Sequence, residues 1–210
     1  MHTDDLIHSL AVDTRPSRPL TASVVGAGVV GFVLSAVLFW VALGPRADIA
    51  AAMSTVRFDL KVVEMLLLAA AAGVLAVRLA RPGADVKPAM GWLLLVPALL
   101  GAAALIEFVL VGPQWRVKLV GGNSLVCLTA IPVLALPLLA ALLYALRQGA
   151  PTRPALTGAV AGLMAAGFAA ALYSLHCTDD SPLFVATWYS IAIMIVSLLG
   201  AAAACRLLRW

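Results

Sequence analysis

The three cysteines of this 210-residue chain are the side chains with the most distinctive chemistry. Cys177 follows His176 and precedes two aspartates, Asp179 and Asp180, whereas Cys127 lies farther towards the N-terminus. Two thiols in an oxidising compartment can form a disulfide, and thiolate, imidazole and carboxylate groups bind thiophilic metal ions. The residues leave both chemistries open: a disulfide between Cys127 and Cys177, or a metal site that also includes His176 and Asp179. The absence of a C-x-x-C spacing disfavours a dithiol oxidoreductase.

Two carboxylates, Glu64 and Glu107, lie inside long apolar stretches of the sequence. A charge in the hydrocarbon region costs a few kcal/mol on insertion scales, so such residues require either a partner or a function. Each lies near one end of its stretch, within reach of Lys61, Arg116 or Lys118. We expect an interfacial ion pair at each carboxylate, with sensing or proton coupling as the alternative.

The composition places the chain in a membrane. Of its residues, 63% are hydrophobic and 11% are charged, which excludes a soluble enzyme, a nucleic-acid-binding domain and a disulfide-stapled secreted module. About 20 apolar residues are needed for one helical crossing. Six stretches qualify, and they predict an all-α polytopic membrane protein with six transmembrane helices: residues 24–43, 62–79, 90–111, 124–146, 156–175 and 183–205.

The basic residues predict how the spans are oriented. With the N-terminus inside, nine Lys and Arg residues fall on the cytoplasmic side and five on the outer side. This asymmetry predicts that both termini lie in the cytoplasm. Cys127 and Cys177 then lie at similar depth on the oxidising side, and Cys205 lies at the cytoplasmic end of the sixth span.

Two glycine motifs fall within the predicted spans. Gly26, Gly28 and Gly31 match the dinucleotide-binding G-x-G-x-x-G pattern, but no strand precedes them, so we interpret them as positions of close helix packing. Gly158 and Gly162 form a G-x-x-x-G motif, which predicts the close approach of another helix from the same chain or from a second copy.

The polar N-terminal residues, 1–22, are predicted to form a segment separate from the transmembrane part, 23–210. A helix capped by Thr3, with Asp4 and Asp5 in its first turn, suits the helix dipole. Such a helix is too acidic for a typical membrane anchor, so docking on a protein partner is favoured over a disordered tail or a membrane-surface helix. Its apolar face consists of Leu6, Ile7, Leu10 and Ala11.

Several blocks of the chain carry a family resemblance: residues 142–154, residues 175–189, the opening 4–7 and the closing 206–210. Together they resemble the NrsF-type family of bacterial six-span inner-membrane anti-sigma factors. The block 175–189, which runs from His-Cys to Trp-Tyr, is the most specific. Thr178 departs from the pattern, because many relatives have proline there.

The resemblance implies a regulator, with no catalytic activity, no stable cofactor and no direct contact with nucleic acid. The cytoplasmic segment would bind an extracytoplasmic-function sigma factor and keep it from RNA polymerase. Cys127 and Cys177 would take part in sensing an envelope, heavy-metal or oxidative stress. The expected partner-binding residues are Asp4, Asp5, Leu6, Ile7 and Leu10.

A small metal or solute transporter or channel is the alternative function. Glu64, Glu107, Cys127 and His176 would then line an outer entrance. A transporter needs polar groups at mid-bilayer on several helices, whereas here the ionisable groups cluster towards the outer edge. The regulator is therefore favoured, and its oligomeric state is not predicted.

Overall fold

The computed structural model describes residue 5 and residues 19–208. Within these residues the chain is helical without any strand, and six helical segments are long and apolar enough to cross a membrane. The predicted six-span all-α fold is confirmed. The helices are α1 (Leu20–Ala42), α2 (Ile49–Ala52), α3 (Val56–Leu79), α4 (Lys87–Val111), α5 (Trp115–Val120), α6 (Ser124–Leu146), α7 (Pro154–Ser174), α8 (Pro182–Phe184) and α9 (Ser190–Leu207).

Two of the spans are composite. A 3₁₀ turn at Gly112–Gln114 follows α4, where Gly112 adopts a positive φ of 56°, and the short helix α5 completes the third span. A π-helical turn at Val185–Tyr189 joins α8 to α9 within the sixth span. Such π turns are rare and often occur at functional sites. Both irregularities lie at the same end of the bundle.

Helix α7 lies at the centre of the bundle, packed against α9, α3 and α6. A Cβ atom on Gly158 would lie 2.3 Å from the carbonyl oxygen of Gly200, so only glycine permits this contact between α7 and α9. On another face of α7, a Cβ on Gly167 would lie 2.9 Å from the backbone nitrogen of Ala69 in α3. The G-x-x-x-G motif therefore packs within one chain, as in other membrane helix pairs.

The G-x-G-x-x-G motif contributes to packing through one glycine. A Cβ on Gly31 would lie 2.7 Å from the Cα of Leu138, which explains how α1 approaches α6 so closely. Gly28 has ordinary contact distance to Met164, and Gly26 faces open space. The close-packing interpretation is thus confirmed for Gly31 alone.

The two ends of the bundle differ in character. The "loop end" contains the connections at residues 43–55, 112–123 and 175–181, and many of their polar groups are buried. The "tail end" contains residue 19, the connections 80–86 and 147–153, and residue 208. Between the ends, large apolar side chains remain exposed around the bundle, as expected for a surface that faces lipid.

Candidate functional site

The connection at residues 175–181, between α7 and α8, is the point at which the loop end converges. It lies within the block that the sequence marks as most specific, and its Cys177 and Ser181 are buried. Each of its neighbouring segments, 43–55, α3, the end of α4 and residues 121–123, makes a polar contact with it. We refer to it as the 175–181 loop.

Asp180 of this loop accepts bonds from two cations. The Lys61 Nζ lies 2.5 Å from its Oδ1, and the Arg46 guanidinium lies 2.7 Å from its Oδ2. The Lys61 side chain is only 1% exposed, and its ammonium also donates to the carbonyl oxygens of Cys177 (3.2 Å) and Asp179 (3.4 Å). The three N–H groups of this buried ammonium thus have three acceptors, all supplied by the loop.

Arg46 fastens the first connection, 43–55, to the same loop. Its guanidinium also donates to the carbonyl of Cys177, and its backbone N–H donates to the carbonyl of Leu175 at 2.9 Å. A bidentate pair at 2.7 Å joins it to Asp48, which raises the pKa of Arg46 and lowers that of Asp48. The pKa of Asp48 falls on folding, so the Arg46–Asp48 pair gives a small stabilisation at pH values above the unfolded-state pKa of Asp48. This stabilisation is lost as the pH falls through the lower pKa that Asp48 has in the folded state.

Asp179 holds the start of α6. Its Oδ2 accepts the backbone N–H of Gly122 (3.0 Å), the backbone N–H of Asn123 (2.9 Å) and the Asn123 amide (2.9 Å). Gly121 makes this approach possible, because its φ is +57° and a Cβ there would lie 2.8 Å from the carboxylate. A carboxylate at this place also suits the dipole of α6, which begins at Ser124.

Glu107 holds the α8 side of the loop. Its Oε2 accepts bonds from the Ser181 hydroxyl (2.5 Å) and the Leu183 backbone N–H (3.2 Å). Its Oε1 lies 3.1 Å from Arg57, which is an ion pair without hydrogen-bond geometry. This partner corrects the expectation from the sequence, which offered Lys61, Arg116 and Lys118. Helix α3 begins at Val56 and so places Arg57 beside the end of α4, while Lys61 is committed to Asp180.

Glu64 has no ion pair among the described residues, so the expectation of an interfacial pair is wrong for it. The side chain is buried, and its Oε1 has no hydrogen-bond partner within the described part of the chain. It lines a cavity of about 10 Å³ together with Lys61 and Asp180, which is about the space of one water molecule. Lys61 lies one helical turn earlier and points instead at the loop.

The two predicted sensing cysteines both lie at the loop end. Cys127, in the first turn of α6, and Cys177, in the loop, are both fully buried free thiols close enough to interact electrostatically. Burial raises the pKa of Cys177, and the nearby Lys61 ammonium opposes that rise. Its Sγ lies 3.8 Å from the carbonyl oxygen of Asp179. Cys205 lies near the tail end and cannot reach either thiol.

The four side chains offered by the sequence as metal ligands do not form a cluster. His176 Nδ1 lies 2.9 Å from the carbonyl oxygen of Gly44, and Asp179 is occupied by the amides before α6. Residue 5 and residues 19–208 contain no group of three His, Cys, Asp or Glu side chains arranged to hold a metal ion. The structure thus brings together Cys127 and Cys177 but gives His176 and Asp179 structural partners.

Sequence reasoning missed the cations that hold the loop. Arg46 and Arg57 enter only the orientation count, and Lys61 is offered as a partner for Glu64 or Glu107. Asp180, the actual partner of Arg46 and Lys61, lies more than a hundred positions away, and Glu107, the partner of Arg57, lies on another span. One signal was present in the sequence. The acidic pair Asp179 and Asp180 is predicted to lie on the same side of the membrane as a connection with three basic residues. That charge complementarity indicates contact between the two loops, without giving the individual pairs.

The predicted partner-binding residues lie almost entirely outside the described part of the chain. Asp4, Leu6, Ile7 and Leu10 are not described, and Asp5 is described as a helical residue. Helix α1 begins at Leu20, immediately after this segment.

Comparison with known proteins supplies the context for this site. The NrsF family model, described as negative regulator of sigma F, matches residues 10–210. The anti-sigma-F factor NrsF of Caulobacter vibrioides (strain NA1000 / CB15N) is 40% identical over 220 aligned positions, covering all of both chains. A probable anti-sigma-F factor NrsF of Azospira oryzae (strain ATCC BAA-33 / DSM 13638 / PS) is 34% identical over 223 positions, again covering all of both chains. No solved structure matches the chain.

Replacing Lys61 by methionine is expected to destabilise the loop end strongly. The change leaves Asp180 and the Cys177 carbonyl with Arg46 alone and the Asp179 carbonyl without an N–H donor, and breaking a buried pair typically costs about 3–5 kcal/mol. Thermal unfolding in detergent micelles measures the effect. Lys118→Met, at an exposed position of the same end, is the matched control. The double variant Lys61→Met/Asp180→Asn should lose less than the sum of the two single changes. Equal stability of the Lys61 and Lys118 variants would contradict this assignment.

Proposed function

Because the chain belongs to the NrsF family of negative regulators of sigma F, we propose that it is a membrane-embedded anti-sigma factor that releases its sigma factor when a signal reaches the loop end. The observation that carries this proposal is the full-length similarity to two proteins named as anti-sigma-F factors. Members so named are regulators, and the proposal includes no catalytic step. The partner is a sigma factor, which we assign to the extracytoplasmic-function class.

The proposal places the tail end in the cytoplasm and the loop end outside the inner membrane. Among the described residues, the tail end has six exposed or half-exposed basic residues: Arg78, Arg81, Lys87, Arg147, Arg153 and Arg206. At the loop end, Arg46, Arg57 and Lys61 are in ion pairs with carboxylates. Arg116 and Lys118 are the other basic residues of the loop end, and the sequence as a whole places nine Lys and Arg residues on the proposed cytoplasmic side against five on the outer side, which supports the assignment.

The sigma factor is proposed to dock on the N-terminal segment. Leu6, Ile7 and Leu10 recur at helical spacing, and Asp4 and Asp5 would form the acidic first turn of the helix. A helix of about a dozen residues is marginal alone in water, so it would gain its order on the partner. The segment leads directly into α1, whose Ser23 hydroxyl donates to the Gln148 side chain at 2.7 Å.

The signal is proposed to act on Cys127 and Cys177. A hydroperoxide would oxidise one thiol to a sulfenic acid with loss of an alcohol, and the second thiol would displace water to give the disulfide. A thiophilic cation bridging the two sulfurs, with release of two protons, would constrain the same pair. Both thiols are buried, and Cys177 belongs to the loop whose carbonyls bind Lys61, so either reaction would alter the packing of the 175–181 loop.

Helix α6 provides a route from the thiols to the docking segment. Cys127 lies in its first turn, and the connection after its last residue contains Gln148, the partner of Ser23. Ala150 in that connection also donates to the carbonyl of Ala80 at the end of α3. Release requires two arrangements of the bundle with different affinity for the sigma factor, and a signal that favours one of them.

Transport is not carried forward as a second function. The family comparison favours a regulator, and two of the four residues that would line an entrance, Glu107 and His176, are hydrogen-bonded within the loop end. Most of the buried residues of helix α7, at the centre of the bundle, are Ala and Gly, which offer no polar group to a substrate.

The docking hypothesis is tested by replacing Leu6, Ile7 and Leu10 together with aspartate. The variant should lose its apolar face and release the sigma factor, raising transcription of a sigma-dependent reporter without any signal, while its membrane level stays normal. His8→Asp/Ser9→Asp/Val12→Asp adds the same number of carboxylates off that face and should still repress. Pull-down of the sigma factor with the tagged chain gives a direct measure. Unchanged binding by the Leu6/Ile7/Leu10 variant would refute the hypothesis.

The orientation is tested with paired reporter fusions that report cytoplasmic or periplasmic location. Fusions after Pro19 and after Trp210 should report the cytoplasm, and a fusion after Asp180 should report the periplasm. A cytoplasmic result at Asp180 would exclude an oxidising environment for the two thiols.

The sensing hypothesis is tested with serine variants. Cys127→Ser and Cys177→Ser should each impair release of the sigma factor after treatment with a hydroperoxide or a cadmium salt, as measured with the same reporter. The double variant should be no worse than the worse single variant, because the two thiols act as one unit. Cys205→Ser is the matched control and should respond normally. If both outer variants respond normally, the two thiols only pack the loop end.

A further inference from the structure

A groove of about 430 Å³ runs along the membrane-facing surface between α1 and α3. It exists because α1 packs mainly on α6 and makes little direct contact with α3. Its floor includes Ala69 and Gly73 of α3 and Met164 of α7, and Val25 and Val77 form part of its walls. Gly73 keeps the floor open, since a Cβ there would lie 3.2 Å from the Met164 sulfur.

The groove ends in two arginines at the tail end. Arg78 lies in the last turn of α3 and Arg81 two residues beyond its end, and both line the groove. Arg78 donates to the carbonyl of Asp85 (2.7 Å) and Arg81 to the Thr21 hydroxyl (2.5 Å). Neither arginine is in an ion pair with a carboxylate among the described residues. The Asp85 carboxylate, which is close in sequence, accepts the backbone N–H of Lys87. Each guanidinium has five N–H donors, so donors remain for an anion.

The dimensions of the groove match one leaflet of a bilayer. The rise from Ala69 to Leu79 along α3 is about 15 Å, half of the roughly 30 Å hydrocarbon core. An apolar channel of this length below a pair of guanidinium groups is complementary to an acyl chain below a phosphate. Arginine binds phosphate through paired N–H groups, and basic pockets between transmembrane helices bind anionic headgroups.

We propose that this groove is a selective site for one anionic phospholipid, with an acyl chain along α3 and the headgroup phosphate on Arg78 and Arg81. Two other grooves flank α4, and both lack charged lining residues, so they offer no such selectivity. The bound phosphate would lie beside Thr21, in the first turn of α1 and close to the N-terminal docking segment. The proposal does not depend on that segment's function.

Lipid retention by the full-length protein tests the proposal. The purified chain in detergent is mixed with equal amounts of phosphatidylglycerol and phosphatidylethanolamine, and retained lipids are counted by native mass spectrometry. The wild type should retain phosphatidylglycerol with about a tenfold preference, and Arg78→Gln/Arg81→Gln should bring the preference close to one. Arg147→Gln/Arg153→Gln removes two cations from the same end of the bundle and should keep the preference.

Gly73→Leu fills the floor without changing any charge, and it should reduce retention of phosphatidylglycerol several-fold. Its added side chain meets the flexible end of Met164, so the variant decides the question even if the arginine variant does not fold. Three results would overturn the site: equal retention of both lipids by the wild type, an unchanged preference in Arg78→Gln/Arg81→Gln, or full retention by Gly73→Leu. An equal loss in Arg147→Gln/Arg153→Gln would show diffuse charge attraction instead.

Discussion

A buried ammonium group, that of Lys61, determines how the loop end of the bundle is built. Removing a cation from water is costly, and the cost is offset only when every N–H group finds an acceptor in good geometry. The three acceptors are two carbonyls and one carboxylate of the 175–181 loop. The loop must therefore keep its conformation for as long as Lys61 is buried, and α3, α7 and α8 are held in fixed positions around it.

The carboxylates of the site each hold a different segment to this loop. Asp180 holds α3 and the first connection, Asp179 holds the start of α6, and Glu107 connects the end of α4 to Ser181. Cys177 lies in the middle of this network, and Cys127 approaches it from α6. Because the thiols share their surroundings with the groups that hold the loop, a chemical change at the sulfurs reaches several helices at once.

The membrane fold could be predicted from the sequence, because lipid imposes a minimum length of continuous apolar helix on every span. The polar network could not be predicted, because Lys61 and Asp180 are far apart in sequence. Many pairings of the charged side chains are compatible with the same number of basic residues on each side of the membrane. The thiol pair could be predicted because both cysteines lie near the same end of adjacent spans. Glu64 and His176 could not be assigned correctly, since their surroundings depend on the direction in which each helix faces its neighbours.

The glycine contacts mark two closely packed groups of helices. Gly158 and Gly167 bring α9 and α3 so close to α7 that these three helices form one closely packed unit. Helices α1 and α6 form a second unit, joined by Gly31 and by the bond between Ser23 and Gln148. The two thiols lie on opposite sides of this division, Cys177 on the loop that leaves α7 and Cys127 on α6. A bond between the two sulfurs would therefore connect the loop after α7 to the pair of helices whose opposite end carries Gln148 and the start of α1.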